Sequence, residues 1–290
     1  MKIFFKYIYG LLLVLIIGVF ILDTVYTAAF HTGFARNKTQ YAVQLKESHI
    51  DYIFLGSSRV ENHIDCELIT ELTGKSCLNL GLQGSRVNDS ASLLQILKDN
   101  DISYKKVFYQ LDYSVNSDGF SPAFLSSLMP FVNDDNVKIN LLSKLELTKS
   151  TKLPFLQYAT NDKIVGFREV ILQYYGKPSR QDLTNGYDGR DGIGVDIKGE
   201  LPSSIKENNS GILWMQELEP KNLVFFTAPY CKEAINRDLM IKDLKDKYPS
   251  VTSFINIFDD KEMYFADCGY LNNKGAKSFT RILTQDLLLN

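Results

Sequence analysis

The sequence predicts an α/β protein: a five-stranded parallel sheet of flavodoxin-like 2-1-3-4-5 order, helices on both faces, behind an N-terminal transmembrane helix. Three observations predict it. Short runs rich in Ile, Val, Phe and Tyr alternate with helix-patterned segments between residues 49 and 112, and again between 220 and 290. The first 30 residues are almost wholly apolar. Between 113 and 219 the alternation breaks, and that stretch reads as one large insertion of helices and loops. The organisation expected is an anchor over 1–30, a tether over 31–48, and an α/β domain over 49–290 carrying the insertion at about 113–219.

No charge interrupts Tyr7 to Leu22, and apolar residues resume after Asp23 as far as Phe30. A spanning helix needs about 20 mostly apolar residues, which this segment supplies. Lys2, Lys6 and the terminal amine precede it, so the N-terminus is expected in the cytoplasm and the bulk of the chain outside it, periplasmic or at the cell surface. A signal peptide cleaved near Thr27-Ala28-Ala29 is the main alternative, although the apolar run is long for one. A buried core helix is the third.

Residues 31–48 read as a polar tether or short helix. Tyr52–Leu55 reads as the first strand, Ser58–Leu72 as a helix ended by Gly74, and Ser76–Leu80 as the second strand. Gly81–Arg86 is a turn, Val87–Leu97 a helix and Lys106–Leu111 the third strand. Within the insertion, Ile139–Leu147 and Asp162–Tyr175 have helical patterns, and Gly176–Gly199 reads as loop. Asn222–Thr227 is the fourth strand, Lys232–Lys247 an amphipathic helix, Ser253–Phe258 the fifth strand and Asn273–Leu289 the closing helix.

The net charge of −2 gives no concentrated basic face, which argues against nucleic acid as a partner. Cys66, Cys77, Cys231 and Cys268 show no metal-ligand spacing, so no metal or other cofactor is expected. They read as small apolar fillers with one bridge at most, since export permits disulfides but pairing is not legible from spacing.

Ligands of open parallel sheets bind beyond the carboxyl ends of the strands. Ser58 follows strand one in Gly56-Ser57-Ser58-Arg59, where free N–H groups at a helix start stabilise a developing oxyanion. Gly84 follows strand two, Asp112–Asn116 follow strand three, and Pro229 and Tyr230 follow strand four. Asp267 and Tyr270 lie after strand five.

These residues resemble the GDSL, or SGNH, hydrolase family, and look closest to its membrane-anchored relatives that handle cell-envelope polysaccharides. Gly56-Ser57-Ser58 stands in the place of Gly-Asp-Ser, Asn79-Leu80-Gly81-Leu82-Gln83-Gly84 looks like the second motif, and Asp267-Cys268-Gly269-Tyr270-Leu271-Asn272 looks like the final Asp-x-x-His motif. The resemblance spans about residues 50–112 and 220–290. It implies Ser58 as nucleophile, the N–H groups of Ser58 and Gly84 as oxyanion donors, and Asp267 as the carboxylate. The chain departs from the pattern twice. The Gly-x-Asn-Asp motif is absent, leaving Gln110 and Asn116 as substitute donors, and the histidine position holds Tyr270. A phenol of unperturbed pKa about 10 is a poor base at neutral pH.

The chain has three histidines. His31 is beside the membrane segment, and His49 is about 25 Å of strand from Ser58. His63, five residues into the helix, projects about 140° away from Ser58, so each reads as an ordinary surface or loop residue. Ser57-Ser58 also fits a plain helix cap, and Asp267 a turn residue. Arg59 and Arg86 are solvated or ion-paired by default, or contacts to an anionic substrate. Two functions follow from the resemblance: an ester hydrolase or O-acyltransferase acting on exported polysaccharide, or an inactive relative that binds glycan or scaffolds an envelope assembly. An unrelated α/β domain is the third reading, which a sheet without 2-1-3-4-5 strand order would support.

Overall fold

The apolar run Tyr52–Leu55 forms most of strand β1 (His49–Leu55), whose last five residues are buried. The computed structural model describes residues 1–134, 137, 141, 144, 153–159, 166–194 and 199–289. β1 pairs in parallel with β2 (Cys77–Asn79) on one side and β3 (Ser103–Gln110) on the other. β4 (Leu223–Thr227) and β5 (Thr252–Ser253) follow in parallel, so the sheet has five strands in the order 2-1-3-4-5. Phe54, Phe108 and Phe226 bring their rings together across β1, β3 and β4, fully buried.

The order explains the helix layers. The step from β1 to β2 runs one way across the sheet and the steps from β2 to β5 run the other way. Right-handed crossovers therefore send their helices to opposite faces. The helices Ser58–His63 and Cys66–Thr73 follow β1, and the closing helix Asn273–Leu283 packs on them. The helices Val87–Asp99 and Ser210–Leu218 pack on each other.

Three expectations are corrected. The helix after Ser58 is two helices, broken at Ile64–Asp65, because the Asp65 carboxylate caps Leu68 N at 3.1 Å and starts a second helix. β5 is two residues long. Phe254, Ile255 and Phe258 are buried, but they leave the ladder to pack: Phe254 against Phe279 and Phe258 against Tyr264. All four cysteines pair, as Cys66–Cys77 and Cys231–Cys268. The helix expected at 139–147 lies almost wholly outside the described residues. Of the one expected at 162–175, Phe167–Tyr174 is observed.

The chain divides into two units. Residues 45–121 and 180–290 build the sheet unit, and residues 1–44 and 122–179 build the other, so the segment read as an insertion is shared between them. In the second unit the helix Lys2–Thr32 is long and apolar enough to cross a membrane, and none of its most apolar stretch is covered by protein. That removes the core-helix reading, which requires burial. The tether contains a short buried helix, Lys38–Gln44. Its Gln40 side chain donates to Phe30 O and Gln173 Oε1, both at 2.9 Å, and Arg36 bonds Glu169 at 2.6 Å. The end of the apolar helix is thereby fastened to the helix Phe167–Tyr174.

Candidate functional site

The turn after β1 is shaped by two glycines. Gly56 has φ +152°, and a Cβ there would meet Val60 Cγ2 at 2.5 Å and Gln110 Cβ at 3.2 Å. A Cβ on Gly81 would collide with the backbone of Ser57 and Glu61, so glycine lets the loop after β2 press onto the start of the helix. Buried Asn79 fixes that loop, donating to Val60 O at 2.7 Å and Ile64 O at 2.8 Å while accepting from Gly81 N at 2.9 Å.

Ser57, not Ser58, caps the helix. Its Oγ accepts from Arg59 N at 3.3 Å and donates to Asp112 Oδ2 at 2.9 Å. Ser58 is the first helical residue, so its N–H has no intrahelical partner. Its side chain is buried, and its Oγ lies 2.5 Å from Tyr270 Oη. Two residues separated by 212 positions thus meet.

Tyr270 is held there by an antiparallel hairpin, β6 (Phe265–Asp267) and β7 (Tyr270–Leu271). Asp267 shapes the turn by accepting from Gly269 N at 2.9 Å. Its other oxygen faces Arg190, 3.6 Å away, so the carboxylate serves the turn and a cation and has no bond to the Tyr270 hydroxyl. Arg59 anchors the hairpin from behind. It is 1% exposed, donating to Gly269 O at 2.9 Å and Pro229 O at 2.5 Å, with its guanidinium carbon 3.5 Å from the Tyr230 ring centroid. This corrects the expectation of a solvated or ion-paired arginine: Nε and Nη2 donate to carbonyls and the plane lies on a π-face, while the buried Nη1 bonds no described residue. The Cys231–Cys268 disulfide and the Cys231 N–H to Cys268 O bond at 3.0 Å join the same two loops covalently. Burial pushes the Tyr230 phenol well above its ordinary value, against the opposing pull of Arg59.

Arg190 is the residue that sequence reading missed. It sits in the loop Gly176–Gly194, and its guanidinium carbon lies 3.5 Å from the Tyr270 ring centroid. Its Nε donates to Asn62 Oδ1 at 3.1 Å, and its carbonyl accepts from Asn273 N at 2.7 Å. Nothing local marks Gly189-Arg190-Asp191-Gly192 as more than a polar turn.

His63 is not a surface residue but fully buried, its ring 5.9 Å from that of Tyr270 at a steep angle. Leu271 N–H donates to Nε2 at 3.0 Å, so the neutral ring carries its proton on Nδ1. Burial first, then the charges of Arg59 and Arg190, hold its pKa well below the ordinary histidine value. His63 therefore supports the hairpin, and Ser58 is left to the phenol. His49 opens β1, at the far end from Ser58, where its Nδ1 meets Ser103 Oγ at 2.8 Å. His31 belongs to the other unit and bonds Asp134 there at 2.7 Å.

The substitute oxyanion donors separate. Gln110 is buried beside Gly56, but its amide donates to Asp112 Oδ2 at 3.1 Å. Asn116 is exposed, and its amide is engaged by Ser204 O at 2.9 Å and Lys206 N at 2.7 Å. Arg86 donates to Asp118 O at 2.8 Å. Gly84 is exposed, with φ +65°, and its N–H bonds no described residue. The group offers a serine hydroxyl, N–H donors at a helix start and at Gly84, and two arginines. Among the described residues it offers no imidazole bonded to that serine.

No family model matches the chain, and no curated protein matches it.

Proposed function

We propose a membrane-anchored, extracytoplasmic SGNH-like protein that holds acylated cell-envelope polysaccharide at its Ser58 centre without turning it over. The observation that carries this reading is the bond between Ser58 Oγ and Tyr270 Oη at 2.5 Å. A serine becomes a nucleophile when a neighbour takes its proton as it attacks. Here the neighbour is a second hydroxyl, and the carboxylate that would orient a base, Asp267, is spent on Gly269 and Arg190. The compartment is supported by the long apolar helix, by Lys2 and Lys6 before it, and by two disulfides, which persist in oxidising surroundings.

The test is hydrolysis of para-nitrophenyl acetate and of acetylated glycan by wild type, Ser58→Ala and Tyr270→His. An inert wild type with Ser58-dependent turnover in Tyr270→His supports the reading. Wild-type turnover that disappears in Ser58→Ala overturns it. The second reading, an ester hydrolase or O-acyltransferase with an unconventional base, is favoured by the position of Ser58 at a helix start and by the unbonded N–H of Gly84. The same wild-type measurement decides it.

A further inference from the structure

A groove of about 720 Å³ runs beside the end of the N-terminal helix, between Val25, Ala28 and Ala29 of that helix and Val170, Ile171 and Tyr174 of the helix Phe167–Tyr174. All of it lies within one unit. Its rim is aromatic and uncovered: Tyr174 is 82% exposed, Tyr175 79%, Phe167 66% and Phe34 64%. Phe167, Ile171 and Tyr174 recur at i, i+4 and i+7, which places them on one exposed face of their helix, while Val170 and Gln173, at its edge, are buried at the base of the groove. Arg168 and Lys177 are exposed beside this face. Scattered apolar residues on a surface need no explanation, but a contiguous patch of large ones marks an interaction site.

Continuity identifies the occupant. Val25, Ala28 and Ala29 lie three to seven residues beyond Leu22, the last residue of the charge-free stretch. That is about 5–10 Å along the helix axis, and the headgroup layer on each side of a bilayer is about 5–8 Å deep. Tyrosine and phenylalanine favour that layer, and Arg and Lys beside them meet anionic headgroups. We propose that the helix Phe167–Tyr174 lies in the bilayer interface, its Phe167–Ile171–Tyr174 face and the groove filled by lipid acyl chains. It would form a second membrane contact that fixes the azimuth and tilt of the anchor. The inference rests on the reading that Lys2–Thr32 spans the bilayer.

The test uses the full chain in vesicles of phosphatidylcholine and phosphatidylglycerol, with bimane attached to single introduced cysteines. The four native cysteines are disulfide-bonded and do not compete. A label at Leu15→Cys reports the span through quenching by lipid spin-labelled deep in the acyl chain. Labels at Tyr174→Cys and Phe167→Cys report the interface through quenching by lipid spin-labelled near the headgroup. Quenching at all three sites is expected. A label at Tyr175→Cys is expected to lose quenching when Phe167→Ser and Ile171→Ser are added, with Leu15 unchanged. Quenching at Leu15 without quenching at 167 and 174 overturns the inference and leaves the anchor standing. Failure at Leu15 overturns the anchor itself, and the inference with it.

Discussion

The buried guanidinium of Arg59 donates from Nε to the carbonyl of Gly269 at 2.9 Å, directly behind the residue whose hydroxyl meets Ser58. Arg59 adjoins Ser58 in sequence, and Gly269 adjoins Tyr270. One side chain therefore sets the spacing between the serine turn and the hairpin.

Arg59→Lys should loosen that spacing. An ammonium group is a point donor, whereas the guanidinium reaches Gly269 O and Pro229 O together and stacks on Tyr230. Leaving one buried carbonyl unpaired and losing the stacking should cost about 2–4 kcal/mol. Urea denaturation of the full chain in detergent checks this, and an unchanged midpoint would show that the arginine is dispensable to the hairpin.

The Cys231–Cys268 bridge joins the same two loops, 37 residues apart in sequence. Closing a loop of that length stabilises a fold by about 3–4 kcal/mol in the chain-entropy model. Cys231→Ser with Cys268→Ser should lose roughly that amount. Hydrogen exchange should accelerate in 265–271, while β1, β3 and β4, paired in the sheet, stay protected. Uniform acceleration across the sheet would mean that the bridge supports the whole unit.

These couplings show which parts of the molecule were legible in the sequence. β1, β3 and β4 are buried runs at the middle of a parallel sheet, so composition alone marks them. The strand order followed from the alternation, which also put Ser58 and Tyr270 in loops beyond the carboxyl ends of the strands. β5 misled because Phe254, Ile255 and Phe258 look like a strand core but pack individually outside the ladder. Arg190 and the roles of Arg59 and His63 stayed hidden because each acts across a loop contact, over 208 positions for His63 with Leu271. A charged or polar residue carries no sign of its burial until its carbonyl or aromatic partners are placed.

Two buried groups give stability opposite pH slopes. Asp89 accepts from Arg86 N at 2.9 Å and Ser121 N at 3.0 Å, and burial raises its pKa from 3.8 to about 6. The folded state then holds its proton more tightly than the unfolded state, so stability is highest below about pH 4 and falls as pH rises through 6. The loss is on the order of 3 kcal/mol. His63 is depressed, so the unfolded chain takes its proton first and stability falls as pH drops below about 6.5. Thermal melts from pH 4 to 8 should lose the first slope in Asp89→Asn and the second in His63→Gln. A slope that survives its own substitution refutes that assignment.

Tyr270→Phe separates two ways in which the tyrosine acts on Ser58. The phenyl ring keeps its stacking on Arg190 and its edge contact with His63, so the hairpin should hold. Only the hydroxyl partner of a buried serine is lost, at about 1–2 kcal/mol. If Ser58 is inert because it lacks a base, a fluorophosphonate probe should fail on both wild type and Tyr270→Phe and label Tyr270→His. If the tyrosine hydroxyl instead plugs a serine that is otherwise competent, the phenylalanine and histidine variants should label alike. The first pattern is expected, because removing a plug supplies no group to accept the serine proton. Mass spectrometry of the labelled peptide around Ser58 reads the outcome directly, and equal labelling of the two variants would move the account from a missing base to an occluded nucleophile.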